Sequence, residues 1–269
     1  MKFAAFARLA LLAALAGACA LTGCGSLQNS QSSLAPSAGN WSFVATSAVV
    51  SGQVSHIGGN LTVSGNSVSS TMHTDLLGFD SSLPFTLSGT LQNKQITFTS
   101  PANANNQVIT LIATVASAST ITGTYTVSAG GGNAADQGTI TASLVPSISG
   151  TWNGPINGDY YNDPHVILSM ELTQASTASS DGTFALTGSV TYSGSSCSAS
   201  GTISSSSVAG SMLIINADTL EQDGSQGSFS YTGAVLNNPA TPTTISGGTY
   251  QVVTGLCASD ADTPTFSKQ

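Results

Sequence analysis

Arginine is almost missing. Arg8 is the single one in 269 residues, and charged residues of every kind make up only 6% of the chain. After residue 24 the only basic side chains are Lys94 and Lys268, set against twelve acidic ones. Neutralising a phosphate backbone takes several Lys or Arg, so nucleic acid is not an expected partner. A basic patch for anionic lipid headgroups is missing for the same reason. The helix-favouring mixture of Ala and Leu stops within the first 25 residues, which argues against a helical bundle. Leu9 to Ala16 is the apolar run of the N-terminus, and it falls short of the roughly 20 residues needed to span a bilayer. Tryptophan occurs twice, histidine three times and cysteine four times.

In place of charge the chain has 44 Ser, 33 Thr and 29 Gly, roughly two-fifths of its length. With 40% apolar residues beside them, there is enough surface to bury to offset the entropy of ordering. Ser, Thr, Gly and β-branched residues suit pleated strands and tight turns, so the expected class is all-β.

The N-terminus reads as a secretory signal over residues 1–23, with Lys2 and Arg8 ahead of the short apolar core. It ends in Leu21-Thr22-Gly23-Cys24, which resembles the bacterial lipobox. The resemblance implies cleavage before Cys24, a diacylglyceryl thioether on its sulfur and usually a further acyl chain, such as palmitate, on its amine. Two or more chains anchor stably where one does not. Cys19 lacks the branched residue at the first lipobox position, in Ala16-Gly17-Ala18. Gly25, where Asp would signal inner-membrane retention in that family pattern, points to the outer membrane. Residues 24–38 follow as a Ser-rich tether. The expected partner is thus the membrane itself, through Cys24, with a small ligand or an envelope protein as the further possibilities.

Internal matches divide the rest. Gly39-Asn40-Trp41 recurs as Gly150-Thr151-Trp152, Phe85-Thr86-Leu87-Ser88-Gly89 as Phe184-Ala185-Leu186-Thr187-Gly188, and Gly123-Thr124-Tyr125 as Gly248-Thr249-Tyr250. Two related β-domains follow, 39–147 and 148–269, joined too tightly at Val145 to Ser149 for a floppy linker. Alternation of period two, as in Gln95-Ile96-Thr97-Phe98-Thr99, bounded by turns such as Gly65-Asn66 and Asp223-Gly224, predicts antiparallel meanders. Small up-and-down barrels are the expected form, with sandwiches as the alternative. Gly-x-Trp on a first strand and a late Gly-Thr-Tyr strand resemble the layout of lipocalin- and avidin-like barrels, in which the Trp closes one end. The basic partner that lipocalins place beside that Trp has no Arg here to supply it. Both Trp are expected in the core.

Cys197 and Cys257 are expected to form a disulfide, because two cysteines in an exported chain meet an oxidising compartment. Asp159, Tyr160, Tyr161, Asn162 and Asp163, followed by Pro164 and His165, form the densest polar cluster. Such a loop can stack on and hydrogen-bond to a sugar, and equally can be a plain turn. Asp218, Glu221 and Asp223, with Asn216 nearby, offer carboxylates for calcium but lack the spacing of a helix-loop-helix site. Asp75 lies close to His73 in sequence, and a Ser to complete a triad is never far away in so Ser-rich a chain. No Gly-x-Ser-x-Gly elbow, His-Glu-x-x-His helix or phosphate loop occurs, so a non-enzymatic role without cofactor is expected. Two roles compete: a structural or interaction lipoprotein, and a module binding a small apolar ligand or glycan.

Overall fold

The computed structural model describes residues 34–157 and 166–269, and all the regular structure in them is β. No helix of these residues is long and apolar enough to cross a membrane. Eight strands make the first half: β1 (Gly39–Ser47), β2 (Val54–Ser64), β3 (Ser67–Thr74), β4 (Phe85–Gln92), β5 (Gln95–Thr99), β6 (Ile109–Ser117), β7 (Thr120–Val127) and β8 (Asp136–Leu144). Each pairs antiparallel with the next, and β8 returns to β1 with Trp41 opposite Leu144, closing an up-and-down barrel. Alternation does the sorting. In β5, Ile96 and Phe98 point inward while the residues around them face solvent. Trp41, Phe43 and Ala45 also point inward in β1, although Asn40 and Ser42 beside them are buried too, and the inward set forms one apolar cluster with Ile57, Leu61, Met72 and Leu111. Each fully buried side chain of this size contributes about 1.5–3 kcal/mol.

The second half repeats the plan with its last two strands broken. Its elements are β9 (Gly150–Ile156), β10 (Val166–Gln174), β11 (Phe184–Ser193), β12 (Ser198–Ala209), β13 (Met212–Glu221), β14 (Gln226–Asn237), β15 (Thr244–Ser246), β16 (Thr249–Thr254), β17 (Ala261–Asp262) and β18 (Phe266–Lys268). Strands β9 to β14 run as a meander; β14 then pairs with both β15 and β16, and β15 with β18, which returns to β9. The closed ring again has eight members, and the expected barrels are the observed ones. Gly247 and Gly248 interrupt the seventh strand, and Thr263-Pro264-Thr265 interrupts the eighth, where proline has no N–H to give a ladder.

This correspondence sorts the sequence matches. Gly-x-Trp opens the first strand of both barrels, and the Thr-Tyr of Gly-Thr-Tyr lies on the seventh. The Phe-x-Leu-x-Gly match is not equivalent, since it falls on the fourth strand of one barrel and the third of the other. Its shorter offset is a displaced strand, not a deletion.

Both tryptophans do one job. Trp41 Nε1–H donates to the carbonyl of Ser37 at 2.8 Å and Trp152 Nε1–H to that of Ile148 at 2.9 Å, each four residues upstream. The residues ahead of each first strand are thereby folded under the barrel. Leu34 and Ala35 pack against the first core and Pro36 is buried, while Ile148 is fully buried in the second. The last five residues of the expected tether 24–38 are therefore barrel floor, because Leu34, Ala35 and Pro36 gain more by burial than by solvation. Lys268 stands opposite Trp152, where Leu144 stands opposite Trp41, and its Nζ is 5.5 Å from the indole ring centre. A basic partner for this Trp thus exists, supplied by Lys and not Arg, at about 0.5–1 kcal/mol for such a contact.

Residues 34–269 form one compact unit, so the two barrels are not independent beads. The β12–β13 hairpin turn of the second barrel lies on β1 and β2 of the first. Asn40 accepts from the Gly210 N–H at 2.6 Å and donates to its carbonyl at 3.2 Å, and the hydroxyls of Ser42 and Ser211 meet at 2.9 Å. Gly210 has φ of +58°, and a Cβ there would lie 2.6 Å from the Gly58 Cα and from the Trp41 carbonyl oxygen. A Gly210→Val variant should lose about 1–3 kcal/mol through overpacking, and its thermal unfolding should split into two transitions. One transition at the parental temperature would contradict this account of the junction.

Buried phenols make the fold sensitive to alkali. Burial pushes the Tyr125 hydroxyl up to about 12, assisted by its 2.6 Å hydrogen bond to Asp136, and burial likewise holds Tyr231 at about 12. Tyr192 and Tyr250, whose hydroxyls face each other at 3.3 Å, are also held above the ordinary phenol value, chiefly by burial. In the unfolded chain these groups ionise near 10.0, so their contribution to stability is whole below that pH. It is lost as pH rises through the folded values. Denaturation midpoints measured from pH 9 upward should hold steady and then fall steeply between about 10 and 12. Midpoints that stay level through that range would contradict it.

Candidate functional site

A cleft of about 450 Å³ opens beside the barrel junction, walled by both halves. The first barrel contributes His56 from β2, His73 at the end of β3, Asp75 just beyond it, and Ser81 and Ser82 from the β3–β4 loop. The second contributes Asp181 and Thr183 from the β10–β11 loop and an apolar floor that includes Met212, Leu213, Ile214, Ala234 and Val235. Its size and its mixture of apolar floor with a few polar groups are those of a small-molecule site.

Strand register places the polar groups. Ser64 pairs with Ser67 across the Gly65-Asn66 turn, and counting back sets His56 opposite Asp75. The His56 backbone N–H donates to Asp75 Oδ1 at 2.5 Å, and its Nδ1 lies 3.0 Å from Asp75 Oδ2. The proximity of Asp75 to His73 in sequence was therefore misleading. Residues two apart on a strand are separated by about 6.7 Å of rise, whereas cross-strand Cβ atoms are about 5 Å apart.

His73 Nδ1 lies 3.2 Å from the Ser81 carbonyl, and its Nε2 is buried without a hydrogen-bond partner. Burial raises the Asp181 carboxyl, but two hydrogen bonds from Thr183 and the electrostatic influence of His73 outweigh it, leaving the group below its usual value. Among the described residues no serine hydroxyl is hydrogen-bonded to either histidine ring. Nor do three or more His, Cys, Asp or Glu gather to hold a metal ion.

No protein-family model matches the chain, and no curated protein matches it. Among solved structures, a Bacteroides fragilis protein described as a "putative outer membrane protein" is similar over 86% of this chain and 97% of its own, at 13% identity and a TM-score of 0.25. A likeness that slight carries neither fold nor function across.

The candidates named from sequence fare differently. Cys197 and Cys257 are bonded, with Cα atoms 5.9 Å apart, and tie the β11–β12 loop to the segment after β16. Asp218, Glu221 and Asp223 are not gathered around one point. Asp218 faces out and accepts from Ser204 at 3.0 Å, Asp223 caps its turn through the Ser225 N–H, and Glu221 is buried, accepting from Ser198 and Thr219 hydroxyls. Cys24 and the cluster Asp159, Tyr160, Tyr161, Asn162 and Asp163 lie outside the described residues. The cleft was missed because no short stretch of sequence contains it. Its one legible signal was the hairpin register that sets His56 against Asp75.

Proposed function

We propose that this is a lipid-anchored, non-enzymatic protein of the bacterial cell envelope, held at the outer membrane through Cys24, and that its two barrels bind a small ligand in the cleft between them. The observation that carries the binding reading is the cleft itself, with polar groups from both barrels and an apolar floor from the second. The anchor rests on Leu21-Thr22-Gly23-Cys24. A second reading, an interaction protein, draws support from the apolar tips of two loops of the first barrel, where Val49, Val50, Leu77 and Leu83 are each about half exposed or more.

Ile214 is exposed on the cleft wall and plays no part in the apolar core, so Ile214→Trp blocks the cleft without disturbing the fold. Binding of a small apolar fluorescent probe should be lost in that variant at an unchanged melting temperature. Undiminished binding would remove the cleft from the account. For the anchor, cells fed labelled palmitate should label the parent chain and not a Cys24→Ala variant; equal labelling would contradict it.

A further inference from the structure

We infer that the cleft selects a primary organic cation, an ammonium group carrying an apolar body. This inference rests on the cleft being a ligand site and names the chemistry that the site accepts.

The argument begins with the tautomers. His56 Nδ1 faces a carboxylate oxygen of Asp75 and His73 Nδ1 faces the Ser81 carbonyl, and both partners can only accept. In the neutral form of each ring the proton is therefore on Nδ1, and Nε2 is then a lone-pair acceptor. Asp75 and Asp181 add two carboxylates. Apart from Ser and Thr hydroxyls, which serve either way, the polar wall offers acceptors alone.

Among the described residues, no lysine or arginine answers them. Lys94 sits in the β4–β5 turn and Lys268 lies over Trp152, so neither of the two described lysines lines the cleft. The cleft thus carries two carboxylates and neither lysine. The Nε2 of His73 is buried without a hydrogen-bond partner, a state that costs free energy. A metal ion would meet the same demand, but the described residues place no three metal-ligating side chains around one point. An ammonium group brings three N–H donors and a positive charge together, and Met212, Leu213, Ile214 and Val235 give its carbon chain an apolar floor. A carboxylate of the same length would meet like charge and find hardly any donors.

Titration calorimetry of the full anchored chain in lipid discs, corrected against empty discs, would compare hexylammonium, hexan-1-ol and hexanoate. Hexylammonium should bind and hexanoate should not, and Asp75→Asn and Asp181→Asn should each weaken hexylammonium by roughly tenfold or more while the melting temperature stays close to the parent's. Binding of hexanol or hexanoate as tight as that of hexylammonium would overturn the charge selection while leaving the cleft a ligand site. No binding by any of the three would overturn both. Hexylammonium binding that both Asn variants leave unchanged would overturn the assignment of the carboxylates.

Discussion

Replacing Trp152 with alanine is expected to remove about 3–5 kcal/mol of folding stability. The indole is fully buried, its N–H holds the Ile148 carbonyl, and Lys268 lies over its face. Alanine would thus open a cavity at the barrel floor and release the join between the halves. Trp152→Phe keeps most of the apolar volume and strands the carbonyl, so it should cost about 1–3 kcal/mol. Lys268→Met should cost less than about 1 kcal/mol, since it forfeits only the cation's contact with the ring. Denaturant unfolding of the three variants gives the ranking, and a Lys268→Met variant as damaged as Trp152→Ala would show that the ring is held from above and not from below. Trp41→Ala should resemble Trp152→Ala, because Ser37 and Ile148 occupy the same place relative to their tryptophans.

Reducing the Cys197–Cys257 bond is expected to cost about 4 kcal/mol on the loop-entropy account, for a separation of 60 residues. The effect should concentrate in the second barrel. Its seventh and eighth strands are short pieces, β15 to β18, and the disulfide holds the segment after β16 to the start of β12. The first barrel closes with unbroken β7 and β8 and needs no such tie. Amide exchange of a Cys197→Ser, Cys257→Ser double variant should quicken across β14 to β18 and stay slow across β1 to β8. Uniform quickening would mean that the barrels unfold only together.

What was legible in the sequence was local. Alternation named the strands, turn residues fixed the hairpins, and the paired Gly-x-Trp motifs marked where each barrel starts, because each of these rests on neighbours within about ten residues. Residues brought together by closure were beyond that reach. Lys268 meets Trp152 only because the last strand returns to the first, and Gly210 meets Gly58 only because one barrel leans on the other. The cleft is of this second kind, since His56 of the first barrel and Val235 of the second both line it. Tether and floor could not be divided by composition either. Leu34-Ala35-Pro36 reads as a polar segment's chance apolar residues until Ser37 is seen beneath Trp41.

The claim that most needs testing is that the space between the barrels holds a ligand. Native mass spectrometry of the protein extracted from its own envelope, side by side with the Ile214→Trp variant, addresses it directly. The parent should carry a reproducible small added mass that unfolding releases, and the variant should lack it. The same added mass on both proteins, or none on the parent over repeated preparations, would contradict the account.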